Sequence, residues 1–379
     1  MERGFLTEEH IIFRDNFRKF IAQEITPHTE EWEENRQVSR DVWLKMGEQG
    51  YLCPWLDEKY GGCNAGFEYS VIITEELAYA NEVGLAAGLH NDMIVPYIDT
   101  FGNEEQKMKW LPGCTTGEIL TAVAMTEPNA GSDLAAIRTT AVRNGNGYIV
   151  NGQKTFISNG ISCDIAIVAV KTDPKAGAKG ISLLVVEDGT PGFSKGRKLK
   201  KMGAHSQDTA ELYFEDCTVS ASNLLGEENK GFFYLMHQLA KERLLIAATA
   251  QSMAEGMLDA TMKYCKERTV FGKPVSSYQY NAFKLVDMAT EVELGRAFVD
   301  SLIVDYLAGK DILKKVSMAK SWICEMSNRV AYDGVQLHGG YGYMDEYPIC
   351  RFARNARVNT IVGGTTEVMK VILSRMMGL

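Results

Sequence analysis

The sequence predicts an α+β protein in three parts: an N-terminal helical domain, a small barrel-like β-sheet domain and a C-terminal four-helix bundle. Two observations predict it. Apolar residues recur at three- and four-residue spacing from Glu8 to about Trp110, and again after Gly231. Between them lie short β-like runs separated by Gly, Asn, Asp and Pro. With 379 residues, 45% of them hydrophobic, the chain has material for two to three domains. The expected boundaries are 1–118, 119–229 and 230–379.

In the first part Ile12, Phe13, Phe17, Phe20 and Ile21 mark a helix that Pro27 is expected to end. Loops follow at PWLDEKYGG and FGNEEQ. The strand-like runs of the second part are ILTAVAM, GYIVNG, KTFISN, IAIVAV and ISLLVVE. Helical patterns in the third part span about 231–268, 277–308 and 312–338, with a last one from about Thr365. There is no internal repeat and no low-complexity tract.

Composition narrows the function. A formal charge of −9 and a pI near 5.4 argue against wrapping nucleic acid or lying on an anionic membrane, since both need concentrated positive charge. No stretch approaches the roughly 20 apolar residues of a membrane span. The opening MERGFLTEEH has neither a signal-peptide apolar run nor the character of a transit peptide. A bacterial cytoplasm is therefore expected, with a mitochondrial matrix after processing as the alternative. The eight cysteines and six histidines are scattered without ligand spacing, which reads as free thiols and no metal site.

Two stretches carry candidate chemistry. In AMTEPNAGSDL (Ala124–Leu134) a β-like run breaks into a loop whose N–H groups and hydroxyls suit a heterocycle edge or a phosphate, although on these residues alone an ordinary interstrand loop is the favoured reading. In QLHGGYGYMDEYPICRFARNAR (Gln336–Arg357) a helix runs into glycines, which allow a ligand close to the backbone or merely cap the helix.

Together these stretches resemble the signatures of the acyl-CoA dehydrogenase family. The first matches T-E-x-x-A-G-S-D. The second matches Q-x-x-G-G-x-G with an acidic residue, Arg351 and Asn355 following. A third family segment, ERTVFGKPVSSYQ (Glu267–Gln279), lies between them, and the resemblance covers essentially the whole chain. It implies FAD held between the sheet domain, the bundle and a neighbouring subunit, usually in a homotetramer. By motif, Met125, Thr126, Gly131 and Ser132 would meet the flavin and its pyrophosphate, and Phe156 and Ser158 would flank the ring. Arg268, Phe271, Gln279, Gln336, Gly339 and Gly340 would reach a partner's FAD. Thr365 and Glu367 would close over its pyrophosphate and adenosine side.

Many family members carry their catalytic glutamate in Tyr-Glu-Gly-Thr, but here the run is Ile361-Val362-Gly363-Gly364-Thr365. Glu242, in LAKERLLIAAT, is the replacement that the residues suggest. Its helical neighbours Gln238, Leu239, Leu245 and Ile246 include no cation, so burial would raise its pKa toward that of a working base. A salt bridge to another helix is the alternative. The resemblance favours the base, because the long-chain and isovaleryl-CoA branches pair Glu-Arg-Leu on this helix with a small residue at the later position. Glu242-Arg243-Leu244 and Gly363 show both halves.

The implied reaction is α,β-dehydrogenation of an acyl-CoA thioester. Glu242 takes the α-proton, the β-hydride goes to flavin N5, and electrons leave to an electron-transferring flavoprotein. The Gly363 N–H would bond the thioester carbonyl, and Ser132, Arg243 and Gly364 would hold the substrate. Asp92, in GLHNDMIVPY, is either bonded to a nearby polar group or faces the acyl pocket. In the second case it would select a polar or cyclic acyl group, or act as a second base in a remote elimination, since an unpaired buried charge is expensive. Direct oxidation by O₂ and a non-catalytic acyl-CoA-binding flavoprotein are the remaining alternatives.

Overall fold

The structure, a computed structural model, describes residues 3–379. It has the predicted class: a helical N-terminal part, a β-sheet and a C-terminal helical part.

Helix α1 (Glu8–Phe20) starts where the Thr7 hydroxyl accepts the His10 N–H and the His10 ring accepts the Thr7 N–H, satisfying two otherwise open donors. Its aromatic side sets Phe13, Phe17 and Phe20 against Tyr51. Pro27 does not stop the chain's helical course. A π-helical turn (Ile21–Ile25) and a 3₁₀ turn (Thr26–His28) carry it into α2 (Thr29–Asn35), and Pro27 sits at the start of the 3₁₀ turn, where a missing N–H costs nothing. Helices α3 (Arg40–Glu48) and α4 (Phe67–Tyr79) follow, and α4 is buried along most of its length. A second π-helical turn, Leu89–Ile94, runs into α5 (Val95–Phe101), and α6 (Glu104–Thr116) begins at a reciprocal Asn103–Gln106 cap. FGNEEQ is thus half loop and half helix start.

The sheet comprises β1 (Thr121–Ala124), β2 (Thr140–Asn144), β3 (Gly147–Ser158), β4 (Ile165–Lys171), β5 (Ile181–Glu187), β6 (Phe193–Lys198), β7 (Thr209–Ser220) and β8 (Leu224–Leu225). Its order is β6-β7-β3-β2-β4-β5-β8, with β1 parallel to β4. The runs GYIVNG and KTFISN form one strand, β3, whose pairing with β7 shifts register after Val150 and again after Lys154. The second bulge contains Phe156, whose backbone is left-handed at φ 59°.

The C-terminal part packs α7 (Gly231–Glu267), α8 (Gln279–Leu307) and α9 (Leu313–His338) around Leu244, Met253, Leu302 and Ile323, with α11 (Thr366–Met376) lying against α9. Helix α10 (Pro348–Ala356) falls inside the glycine-led motif, where no helix was expected. Short strands β9 (Thr269–Val270) and β10 (Lys273–Pro274) form a hairpin with Phe271 at its tip. One apolar cluster unites all three parts: Ile94, Tyr97 and Trp110, then Ala130, Ile167 and Leu183, then Tyr234 and Leu235. All eight cysteines are free thiols. Among the described residues, no helix is long and apolar enough to cross a membrane and no cluster could hold a metal ion.

Candidate active site

Glu242 lies in the first third of α7, on the side turned to α5. It is 7% exposed, and burial pushes its carboxyl up to about 7, against the opposing pull of a hydrogen bond from Tyr97 and the charges of Arg243 and Lys241. The Tyr97 hydroxyl donates to Glu242 Oε1 at 3.1 Å. Among the described residues no cation forms a salt bridge with Glu242, so the salt bridge to another helix, the alternative reading, is absent. A carboxyl in this setting changes charge near neutrality, as proton abstraction requires.

Gly363 and Gly364 turn the chain just before α11, at φ 64° and 97°. The turn is pinned from both sides. Arg243 Nε donates to Gly363 O at 3.4 Å, and Lys320 Nζ donates to Gly364 O at 2.6 Å. Among the described residues the Gly363 N–H donates no hydrogen bond and is free for an acceptor. A Cβ at 363 would collide with Cδ1 of Ile246, one helical turn beyond Glu242. A side chain at 363 therefore requires the Ile246 Cδ1 to move. Gly363→Ala is expected to lose about 1–3 kcal/mol from the left-handed backbone, and more from the overlap. Adding Ile246→Val, which deletes the colliding atom, should recover only the second portion. Urea midpoints of the three proteins check this.

Arg243 is 4% exposed, and its Nε is engaged with this turn through Gly363 O. Asp92 is placed differently from its costlier expectation. It sits on the π-helical turn with its side chain 1% exposed, and Lys241 Nζ lies 3.0 Å from Oδ1. Its charge is paired, so the expense of a lone buried carboxylate, on which the polar-pocket and second-base readings rested, is offset.

The loop after β1 is held by ion chemistry from below. Lys154, fully buried on β3, donates to Met125 O at 3.2 Å and to Glu127 Oε1 at 2.8 Å. Glu127 also accepts the N–H groups of Arg138 and Thr139, and Thr155 N–H donates to Thr126 O. Burial works to raise the Glu127 carboxyl, but Lys154 and these N–H groups outweigh it and hold it below the ordinary range. Met125 and Thr126 are thereby fixed at a half-buried lip, with Gly131 and Ser132 exposed at the tip. Met125 packs on the shared apolar cluster that also contains Tyr97. Phe156 stands 69% exposed beside Ser158 on the bulged strand. Lys154→Met, which strands the Glu127 carboxylate, should cost about 3–5 kcal/mol and loosen this loop. Hydrogen exchange at Thr126 and Thr155 would report the loosening.

The remaining candidates gather elsewhere. Arg268, Gln336, Gly339 and Gly340 line a cleft of about 490 Å³ with Tyr264, Tyr341 and Met344, the Arg268 guanidinium lying 5.3 Å from the Tyr341 ring centre. None of the residues around Glu242 or on the Ala124–Leu134 loop lines it. Phe271 projects at 96% exposure on left-handed backbone, and Gln279 opens α8, also exposed. Thr365 caps α11 by accepting the Val368 N–H, and Glu367 is exposed in its first turn. Arg351 and Asn355, part of the same motif, knit α10 to Asn81, Glu82 and the Ala204 N–H rather than facing a cleft.

Sequence reasoning missed Tyr97, Lys241, Lys320 and the Lys154–Glu127 pair. The last had no local signal, since Lys154 stands between Gln153 and Thr155. The others act across 145, 149 and 44 positions of chain.

Comparison with known proteins agrees with this build. Patterns for the acyl-CoA dehydrogenase N-terminal, middle and C-terminal domains match residues 7–118, 122–217 and 229–378. The long-chain specific acyl-CoA dehydrogenase of Sus scrofa mitochondria is 48% identical over 98% of this chain and 87% of its own. A crystal structure of acyl-CoA dehydrogenase from Geobacillus kaustophilus superposes with a TM-score of 0.97 at 58% identity, covering 99% of each chain. A chain of a structure described as the electron transferring flavoprotein of Acidaminococcus fermentans reaches 0.93 at 38% identity, with 98% of each chain covered. The helix–sheet–helix fold is thus that of an oxidoreductase enzyme. The chain belongs to the acyl-CoA dehydrogenase family.

Proposed function

We propose that the protein is an FAD-dependent dehydrogenase that converts a saturated acyl-CoA thioester to its 2-enoyl-CoA, with Glu242 as the base. The observation that carries this reading is the isolated Glu242 carboxyl, buried and poised near neutrality on the same short stretch of α7 that packs against the Gly363–Gly364 turn. A thioester α-proton is too weakly acidic for a carboxylate unless developing charge on the carbonyl oxygen is stabilised by donors already in place. The free N–H of Gly363 is such a donor, and Arg243 and Lys320 hold its turn rigid. Tyr97 fixes the rotamer of Glu242 and stabilises its ionised form.

The residues present suit FAD. Phe156 and Phe271 are large aromatics held outward on left-handed backbone, an arrangement that costs energy and leaves apolar surface wet unless a flat partner covers it. Met125, Thr126, Gly131 and Ser132 offer a lip with backbone and hydroxyl groups, and Ser158 stands beside Phe156. When bound, FAD supplies the acceptor for the hydride leaving the β-carbon. Arg268, Gln336, Gly339 and Gly340 form a separate cleft carrying a cation, suited to the pyrophosphate of a neighbouring subunit's FAD. With Phe271 and Gln279 beside it, this supports a homo-oligomer, a tetramer on the family's pattern. Thr365 and Glu367, at the start of α11, complete the set.

The identity to the Sus scrofa protein favours a long straight acyl chain, and the likeness to the Acidaminococcus fermentans chain favours an electron-transferring flavoprotein as acceptor. The test is anaerobic addition of acyl-CoA thioesters of graded length to the holoenzyme. Bleaching of the flavin, fastest with long saturated chains, is expected. Binding without bleaching for every chain length would overturn the assignment in favour of a non-catalytic flavoprotein.

A further inference from the structure

Helix α7 and the segment made of the π-helical turn and α5 run antiparallel and are tied at successive levels. Phe101 stacks on Tyr234 at 4.0 Å, Gln238 Nε2 meets Thr100 Oγ1 at 3.3 Å, Tyr97 meets Glu242 at 3.1 Å, and Asp92 meets Lys241 at 3.0 Å. The last two ties use adjacent residues of α7 but residues five apart on the opposing segment. Five residues around a regular α-helix are displaced by about 140°. An i→i+5 turn narrows that displacement, and the Leu89–Ile94 turn places Asp92 on the α7 side.

The Asp92–Lys241 pair is enclosed. Asp92 is 1% exposed at its side chain and Lys241 15%, and the ammonium lies 5.0 Å and 5.5 Å from the ring centres of Trp55 and Phe67. Nζ stands off the hydrogen-bonding direction of Oδ1, which finds no other donor, so charge rather than a directed bond joins the two. This matters because Lys241 is the residue before Glu242.

We propose that Asp92 and Lys241 form a positioning pair for Glu242, with Asp92 absorbing the field of the lysine next to the base while the π-helical turn holds both helices in register. The proposal rests on Glu242 being the base. The charged and titratable groups around Glu242 are few. Its own helix supplies Lys241 and Arg243, and α5 supplies Tyr97. The π-helical turn supplies Asp92 and His90, the latter pushed down to about 4 by burial and bonded to Thr121 and to the Cys114 carbonyl. Helix α9 supplies Lys320, which is spent on Gly364 O. The thiol of Cys53, near Asn91, is pushed well up by burial and stays neutral. Within this set only Lys241 has its charge cancelled by a dedicated partner from the opposing segment.

Removing either member should therefore move Glu242 in opposite directions. Asp92→Asn leaves a bare ammonium beside the base and lowers the pH at which it ionises by about one unit, whereas Lys241→Gln leaves a bare buried carboxylate and raises it by about one unit. The double variant should return to the parent's midpoint. The experiment titrates the protonated-carboxyl infrared band of each holoenzyme, assigned by difference against Glu242→Gln, and follows the pH dependence of anaerobic flavin reduction in parallel. Opposed shifts with recovery in the double variant support the pair. Unmoved midpoints, shifts of the same sign, or no recovery overturn it, since a merely structural role would lower activity without opposed midpoints. Should Asp92→Asn fail to fold, the upward shift of Lys241→Gln and its reversal in the double variant decide. The infrared midpoint reports Glu242 whether or not it is the base. If Glu242→Gln kept its flavin-reduction rate while the midpoints still moved apart, the base assignment would fall and the pairing would stand.

Discussion

The Glu242→Gln protein is expected to reduce its flavin with acyl-CoA about 10³-fold or more slowly than the parent, while binding the thioester with little change. A positioned general base contributes about 10²–10⁴-fold, and here no second acid can substitute. Asp92 is tied to Lys241, and position 363 carries no side chain and could take none without displacing Ile246. Glutamine keeps the volume and can still accept the Tyr97 hydroxyl, so packing between α7 and α5 survives. The loss should appear in the rate of bleaching and not in the substrate concentration that half-saturates it, as expected for a group acting only in the transition state. Stopped-flow spectroscopy under anaerobic conditions makes the measurement.

The same substitution should make the protein more stable above neutrality. Burial raises the Glu242 carboxyl from 4.5 to about 7, so the folded state favours the protonated form. Stability from this group is fully present below about pH 4.5 and is lost as pH rises through about 7. The full loss is about 3 kcal/mol at 1.36 kcal/mol per unit. Glutamine carries no such dependence. The unfolding free energy of Glu242→Gln minus that of the parent should therefore climb by about 3 kcal/mol between pH 4 and pH 8. Urea unfolding at both pH values checks it, and a flat difference would mean that Glu242 is better solvated than its 7% exposure indicates.

The long helices of the C-terminal part were legible because an apolar period sustained over 26 residues or more, as in α7, α8 and α9, is a pattern that neither strand nor loop produces. Their observed ends, 231–267, 279–307 and 313–338, fall within two residues of the expected ones. Strands β4 and β5 were legible as continuous apolar runs buried on both faces. By contrast β2 (TAVRN) and β6 (FSKGRK) carry few buried apolar residues, and nothing local separates them from loop. Helix α10 stayed hidden behind glycines and Pro348, although proline at a first helical position is a start signal. At the site, Glu242 stood out because no cation lies one turn away on its own helix. Its partners did not, because the Tyr97 hydroxyl and the Asp92–Lys241 pair arise only when α5 is laid beside α7. The π-helical turn that sets their register has no sequence signature at all. The glycine at 363 was readable as a missing acid, but its left-handed backbone and the nearness of the Ile246 side chain needed three dimensions.

Removal of the α-proton, the role proposed for Glu242, can be isolated from every later step. An acyl-CoA whose C3 bears no hydrogen, such as a 3,3-dimethyl thioester, can lose its α-proton to the base but has no hydride to give. Incubated with holoenzyme in D₂O, it should gain deuterium at C2 with the parent protein and not with Glu242→Gln. Deuterium entering C2 equally fast with both proteins, followed by mass spectrometry, would contradict the account.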